Sequence, residues 1–311
     1  MKSVLLDRST ISLPDNEIEA LWSGLDQHTS YETTDHDQIL QRCYEADVVF
    51  TNKVVFDKKC LSQLPHLKFI GILATGTNNV DLDAAKELDI TVKNVSGYST
   101  QSVAQHVIGS MIALAQGHHF YKSDEQHWPN SPTFCRHSYD GFQIAGKTLG
   151  LIGYGSIGKE VATLAKAFQM KILIAESFIA PSSEKQRVPL PEVLSQSDFV
   201  TLHCPLSDFT KNLVNTAFLR QMKSTAFLIN TARGPIVNEL DLAVALKNNI
   251  IAGAALDVLN QEPPSKDNPL LNLNHKKLLI TPHIAWASLE SQKKLIELAR
   301  LNVDDFLKNH S

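Results

Sequence analysis

"LGLIGYGSIGKEV", residues Leu149 to Val161, sets Gly153, Gly155 and Gly158 in a G-x-G-x-x-G spacing directly behind a short apolar run. Two readings compete: a cradle for a phosphate, or a glycine-rich turn that only joins a strand to a helix. The spacing alone does not separate them, but its context does. The run before Gly153 reads as a buried strand. Ile157, Val161, Leu164, Ala165 and Phe168 follow it at helical spacing and form the expected apolar face. In such a unit the first glycine permits a tight turn, the second lets backbone approach a pyrophosphate, and the third allows close packing of helix on strand. Free N–H groups at the helix start would face the phosphates. The next apolar run, "MKILIAE", ends in Glu176, eighteen residues beyond Gly158. An acidic side chain there accepts hydrogen bonds from ribose hydroxyls and repels a 2′-phosphate. Ser177 and Phe178 bring no compensating positive charge, and Lys185 and Arg187 lie farther along, so NAD is favoured over NADP.

Outward from this turn, short apolar runs alternate with helical patterns along the whole chain, which predicts parallel sheets covered by helices. The early strand candidates are "SVLLD", "ADVVFTN", "LKFIGILA" and "ITVKN". The later ones are "TLGLIGY", "MKILIAE", "DFVTLHC", "TAFLINT", "IAGAALDV" and "KLLITPH". Between the two sets Val103, Val107, Met111 and Leu114 repeat at helical spacing, and the aperiodic "WPNSPTFCRHSYDGFQ" after them reads as a long connecting loop. "SLESQKKLIELARLNVDDFLKN" reads as an amphipathic terminal helix capped by Ser288. A boundary near Ser96–Thr100 therefore divides an N-terminal α/β unit from a central one. A terminal helix returning to the first unit would leave a cleft of the kind small molecules occupy.

The 311 residues suffice for two ordinary domains, and a net charge of −4 with scattered Lys and Arg argues against a nucleic-acid surface. Cys43, Cys60, Cys135 and Cys204 lie far apart and form no C-x-x-C pair, so neither a disulfide framework nor a zinc ribbon is expected. His118, His119 and His127 lack the spacing and the carboxylates of a metal site, so no metal is expected. "MKSVLLDRST" reads as a first strand rather than a signal peptide, and no segment approaches a membrane span. A cytoplasmic address is expected.

Ligands of doubly wound sheets meet the carboxyl ends of strands, so polar residues immediately after apolar runs are the candidates for chemistry. Four stand out: His203, Arg233, Asp257 and His283, with Glu262 five residues past Asp257. Hydride transfer between a hydroxy acid and a nicotinamide needs a group that moves a proton near neutral pH, and imidazole suits that. It needs a fixed cation to hold the substrate and polarise its carbonyl, which a guanidinium does. A carboxylate behind the imidazole orients the ring and stabilises its cation. His283, Arg233 and Glu262 fit these roles. The bland alternatives are a surface or core-satisfied histidine, a salt-bridged strand-end arginine and a solvated loop glutamate. His203 is the rival base; beside Cys204 it could suggest a Cys–His nucleophile, but adjacent residues on an extended segment face opposite ways.

These residues are familiar as a set. With "ATGTNNVDLDAA", "YSTQSVAQHVIG", "GKTLGLIGYGSIG", "LHCPL", "INTARG", "ALDVLNQEPP" and "TPHIAWAS", the chain resembles the D-isomer-specific 2-hydroxyacid dehydrogenases over essentially its full length. Within them it looks most like the glycerate dehydrogenase (hydroxypyruvate reductase) branch. The resemblance implies an α/β fold of two doubly wound domains: a Rossmann-type NAD-binding domain, 99–287, inserted in a flavodoxin-like substrate-binding domain, 1–98 and 288–311. It implies Arg233, Glu262 and His283 as catalytic residues, and Gly153, Gly155, Ser156, Ile157, Gly158, Glu176, Thr231 and Asp257 as NAD contacts, Asp257 near the carboxamide. Thr75 and Gly76 match the place where the substrate carboxylate is bound, together with Arg233 and His283, and a homodimer is implied. Glu176 stands where Asp is commoner in the family. The small polar "TGTNN" loop could form an anion-binding nest, with Lys53 the nearest candidate cation. Phosphoglycerate or D-lactate dehydrogenase activity is the alternative, and a dinucleotide-sensing corepressor is the alternative of another class.

Overall fold

The computed structural model describes residues 1–178 and 187–310. Lys185 therefore lies outside the described residues. The chain divides into two compact units, residues 1–99 with 286–311, and residues 100–285.

The first unit is built on a five-stranded parallel sheet of β1 (Lys2–Leu5), β2 (Gln27–Ser30), β3 (Val48–Thr51), β4 (Phe69–Ile72) and β5 (Thr91–Asn94). Its order, β2-β1-β3-β4-β5, is the flavodoxin-like one. β3 and β4 are buried at every position, as unbroken runs covered on both faces should be. β2, "QHTS", is exposed throughout; an edge strand without apolar residues leaves no pattern to read, and the sequence did not predict it.

The second unit carries β6 (Thr148–Ile152), β7 (Lys171–Ala175), β8 (Arg187–Val188), β9 (Phe199–Leu202), β10 (Phe227–Asn230), β11 (Gly253–Leu256) and β12 (Leu278–Ile280). They pair in parallel in the order β12-β11-β10-β9-β6-β7-β8, the doubly wound order of a Rossmann sheet. The order reverses at β6, which pairs with β7 on one side and β9 on the other, so the glycine turn at its carboxyl end stands at the switch point. The two-residue β8 also escaped the sequence reading.

Three helices bear on the argument. α1 (Thr100–Gln116) buries Val103, Val107, Met111 and Leu114, the residues its periodicity selects. α2 (Ser156–Ala167) follows the glycine turn and buries Gly158, Val161, Ala162 and Ala165. The predicted face holds at Val161 and Ala165 and needs correction at Phe168. Ile157 and Leu164 are only partly buried, and Phe168 is 42% exposed beyond the last helical residue. Ile157 and Leu164 pack against the same core as Val161 and Ala165, and the small Gly158 and Ala162 are buried beside them. α3 (Leu289–His310) packs Leu295, Ile296, Ala299, Val303 and Phe306 against the first unit, with Phe50 and Phe69 in the same core. The Phe69 and Phe306 rings lie 4.9 Å apart.

Candidate active site

The three glycines divide their work by geometry. Gly153 has φ +97°, and a Cβ there would lie 2.5 Å from backbone atoms of His203 and Cys204. A Cβ on Gly158 would lie 2.5 Å from the Gly153 carbonyl oxygen. Both positions hold the turn and helix against the sheet. A Cβ on Gly155 would meet nothing within 4 Å. That empty approach is what a phosphate group needs. The first backbone bond of α2 runs from Lys159 N–H to the Gly155 carbonyl at 2.9 Å, so the N–H groups of Ser156, Ile157 and Gly158 have no acceptor in their own helix. Helix starts of this kind attract anions. Thr231, directly after β10, has a buried hydroxyl with no hydrogen-bond partner, a group that costs free energy unless a ligand engages it. The open approach at Gly155 and the orphaned Thr231 hydroxyl fit a dinucleotide. Glu176, after β7, is exposed, and its N–H bonds the Val188 carbonyl at 3.0 Å.

Glu262 and His283, twenty-one residues apart, meet: His283 Nδ1 lies 2.6 Å from Glu262 Oε2. The other carboxylate oxygen accepts the Leu259 N–H at 3.0 Å, which pins the side chain to its own loop. With Nδ1–H donating to the carboxylate, Nε2 is the atom left to gain or lose a proton. Arg233 stands at the start of the loop after β10, and its Nη1 donates to the Ala232 carbonyl at 2.7 Å. Among the described residues it forms no ion pair, so the salt-bridged strand-end arginine is not what the structure shows. Its neighbour Gly234 touches the loop of Glu262: a Cβ there would sit 1.9 Å from the Leu259 carbonyl oxygen. The Arg233 and Glu262 loops are thereby joined backbone to backbone, and Glu262 joins them to His283.

Asp257, 2% exposed, spends its carboxylate inside the protein. One oxygen accepts the Thr281 hydroxyl at 2.6 Å and the Ile284 N–H at 2.9 Å, the other the Ala285 N–H at 2.9 Å. The rival base is disabled by its surroundings. Burial pushes the His203 imidazole down to about 4, so it is neutral near pH 7, and its Nε2 lies 3.0 Å from the Thr201 hydroxyl. Burial also pushes the Cys204 thiol up to about 11, which leaves no thiolate for nucleophilic attack.

In the first unit the candidates stand at the carboxyl end of the sheet. Thr75 and Gly76 follow β4; the Thr75 hydroxyl donates to the Val95 carbonyl and Asn94 donates to the Thr75 carbonyl. Among the described residues neither the Thr75 nor the Gly76 amide N–H has an acceptor. Lys53 follows β3 in a loop ordered by Asp7, whose buried carboxylate accepts the Thr51 hydroxyl and the N–H groups of Asn52 and Lys53. The sequence reading missed Asp7; its one signal was a charged residue directly behind an apolar run. A cavity of about 680 Å³ opens at the amino ends of the second sheet, lined by Lys147, Asp198, Thr225 and Lys277 among others. It lies at the wrong end of the strands for this chemistry.

The D-isomer specific 2-hydroxyacid dehydrogenase, NAD binding domain, is the family whose profile matches residues 108–285. A glycerate dehydrogenase of Methylorubrum extorquens is 40% identical over 309 residues, covering 98% of this chain and 96% of its own. A hydroxypyruvate reductase of Blautia hydrogenotrophica is 38% identical over 319 residues, covering 99% and 97%. Among solved structures, an acyclic imino acid reductase in complex with NADPH and D-Arg superposes with a TM-score of 0.86 at 29% identity, covering 99% of this chain and 98% of that one.

Proposed function

The chain belongs to the D-isomer-specific 2-hydroxyacid dehydrogenase family, NAD-binding oxidoreductases acting on a CH–OH group, and from that premise we propose that it reduces hydroxypyruvate, with glyoxylate as a second substrate, to D-glycerate and glycolate. The observation that carries the reading is the 2.6 Å contact of His283 with Glu262 beside a loop pressed against that of Arg233. The names of the two relatives support the choice of substrate.

The N–H groups of Ser156, Ile157 and Gly158 would hold the pyrophosphate of NAD, Glu176 the ribose hydroxyls, and the Thr231 hydroxyl a further polar group of the cofactor. Asp257 shapes the loop that carries His283. Once bound, the nicotinamide supplies the hydride. The Arg233 guanidinium binds the substrate and draws charge toward the carbonyl oxygen, where negative charge develops as the bond reduces. His283 delivers the proton to that oxygen from Nε2, while Glu262 stabilises the imidazolium and keeps the ring turned. In the oxidation direction the same Nε2, neutral, takes the hydroxyl proton. Thr75 and Gly76 serve the substrate carboxylate through backbone N–H groups, and Lys53 adds positive charge at the same end of its sheet. The reading includes a homodimer, which the exposed Trp128 and Phe134 side chains favour, and a cytoplasmic address; no helix among the described residues is long and apolar enough to cross a membrane.

A steady-state panel of hydroxypyruvate, glyoxylate, pyruvate and phosphohydroxypyruvate, each with NADH and NADPH, tests the substrate and cofactor together. The expected result is the highest kcat/KM for hydroxypyruvate with NADH. A tenfold preference for pyruvate or the phosphorylated acid would replace the substrate assignment, and turnover of none would end it.

A further inference from the structure

His283 holds a left-handed backbone, φ +54°, which a β-substituted residue adopts only where its surroundings over-determine it. Glu262 holds the ring, and Asp257 and Thr281 hold the backbone. The Asp257 carbonyl accepts the His283 N–H at 2.8 Å, and one oxygen of its carboxylate accepts the Thr281 hydroxyl and the Ile284 N–H while the other accepts the Ala285 N–H. Thr281 in turn lies 3.2 Å, Oγ1 to Nε2, from His106 on α1. The direct His106–Asp257 separation is 3.9 Å, too long for a hydrogen bond, so the threonine is the bridge. A threonine hydroxyl has one hydrogen, and an ionised carboxylate can only accept. The 2.6 Å contact to Asp257 therefore takes that hydrogen, and Thr281 accepts from His106, whose proton stands on Nε2. A directed chain of donors thus runs from α1 to the loop that carries His283.

We propose that His106 and Thr281 are positioning residues for the proton transfer: they lock the rotamer of the Asp257 carboxylate, which fixes the backbone of residues 281–285 and hence the aim of the His283 ring. The proposal rests on His283 being the acid–base group. Neither His106 nor Thr281 belongs to the dinucleotide turn, so their loss belongs in kcat rather than in cofactor affinity.

The test combines kinetics with hydrogen–deuterium exchange on the full chain, measured with and without NADH, in H106L, H106Q, T281V and T281S. The H106L and T281V variants are expected to lower kcat for reduction about three- to tenfold, the worth of one hydrogen bond. The KM for NADH should stay within about twofold, and exchange at the amides of His283, Ile284 and Ala285 should quicken by a similar factor. The amide of H106Q offers a donor near the same place and T281S keeps the hydroxyl, so these two variants should retain both properties. Unchanged exchange and kcat in H106L and T281V would overturn the proposal. So would a lowered Tm with kcat and exchange intact, which marks a role in stability alone. His283→Gln is the control: full kcat there refutes the acid–base assignment, while the exchange data judge the anchoring by themselves.

Discussion

A neutral imidazole bound through Nδ1 to a carboxylate keeps one lone pair, at Nε2, and reduction and oxidation ask opposite things of it. Reduction needs Nε2 protonated and oxidation needs it bare. With chemistry rate-limiting, the reduction rate should fall as pH rises and the oxidation rate as pH falls. Identical limbs in the two directions would remove His283 from the reaction. His203 sets a second pH dependence, in stability. Its ordinary value is 6.5 and burial lowers it to about 4. Between those values the unfolded chain binds a proton that the folded chain does not, so stability falls as pH drops through that window. The loss amounts to on the order of 3 kcal/mol at the acid end. His203→Asn should flatten that slope in denaturant titrations at a series of pH values; an unaltered slope would show that His203 does not supply it.

The strand–turn–helix unit around β6 and α2 separates folding from binding in adjacent residues. Gly158→Ala drives a methyl to 2.5 Å from the Gly153 carbonyl, and the helix must shift off its strand. Overpacking of this kind costs about 1–3 kcal/mol. Gly155→Ala meets open space, so Tm should stay within a degree or two while the KM for NADH rises at least tenfold. Equal effects on Tm in the two variants, or an unchanged KM in Gly155→Ala, would deny the turn its phosphate. The same unit shows the reach of pattern reading. Spacing located the turn, the helix and most of its face: Val161 and Ala165 are buried, Ile157 and Leu164 pack half-buried on the same core, and of the five only Phe168 stands outside. What periodicity did not name is Ala162, buried with them, whose small side chain leaves little apolar signal.

At the scale of the molecule, the chain leaves the first unit at Ser99 and returns at Trp286, so the fold of residues 1–99 depends on a helix that begins 190 residues later. α3 completes the core behind β3 and β4 through Leu295, Val303 and Phe306. Phe306→Ala should cost about 3–5 kcal/mol, read as a lower Tm or denaturant midpoint. If α3 were an appendage, the same variant would unfold at the wild-type midpoint.

What the sequence determined by itself was whatever local pattern encodes. Unbroken apolar runs announced the buried parallel strands, the glycine spacing marked the turn, and strand-end positions selected Arg233 and His283. It also supplied Glu262, though only as a carboxylate in a loop. Tertiary structure alone decided which side chains meet. The bond from Glu262 to His283, the backbone contact of Gly234 with Leu259, and the chain from His106 through Thr281 to Asp257 join residues up to 175 apart in sequence. The edge strands β2 and β8 also waited for the structure, since an exposed or two-residue strand buries too little to leave a pattern. The physical reason is one of range: periodicity and propensity act over a few residues, whereas a hydrogen bond between distant loops exists only once the sheet has brought its carboxyl ends into line.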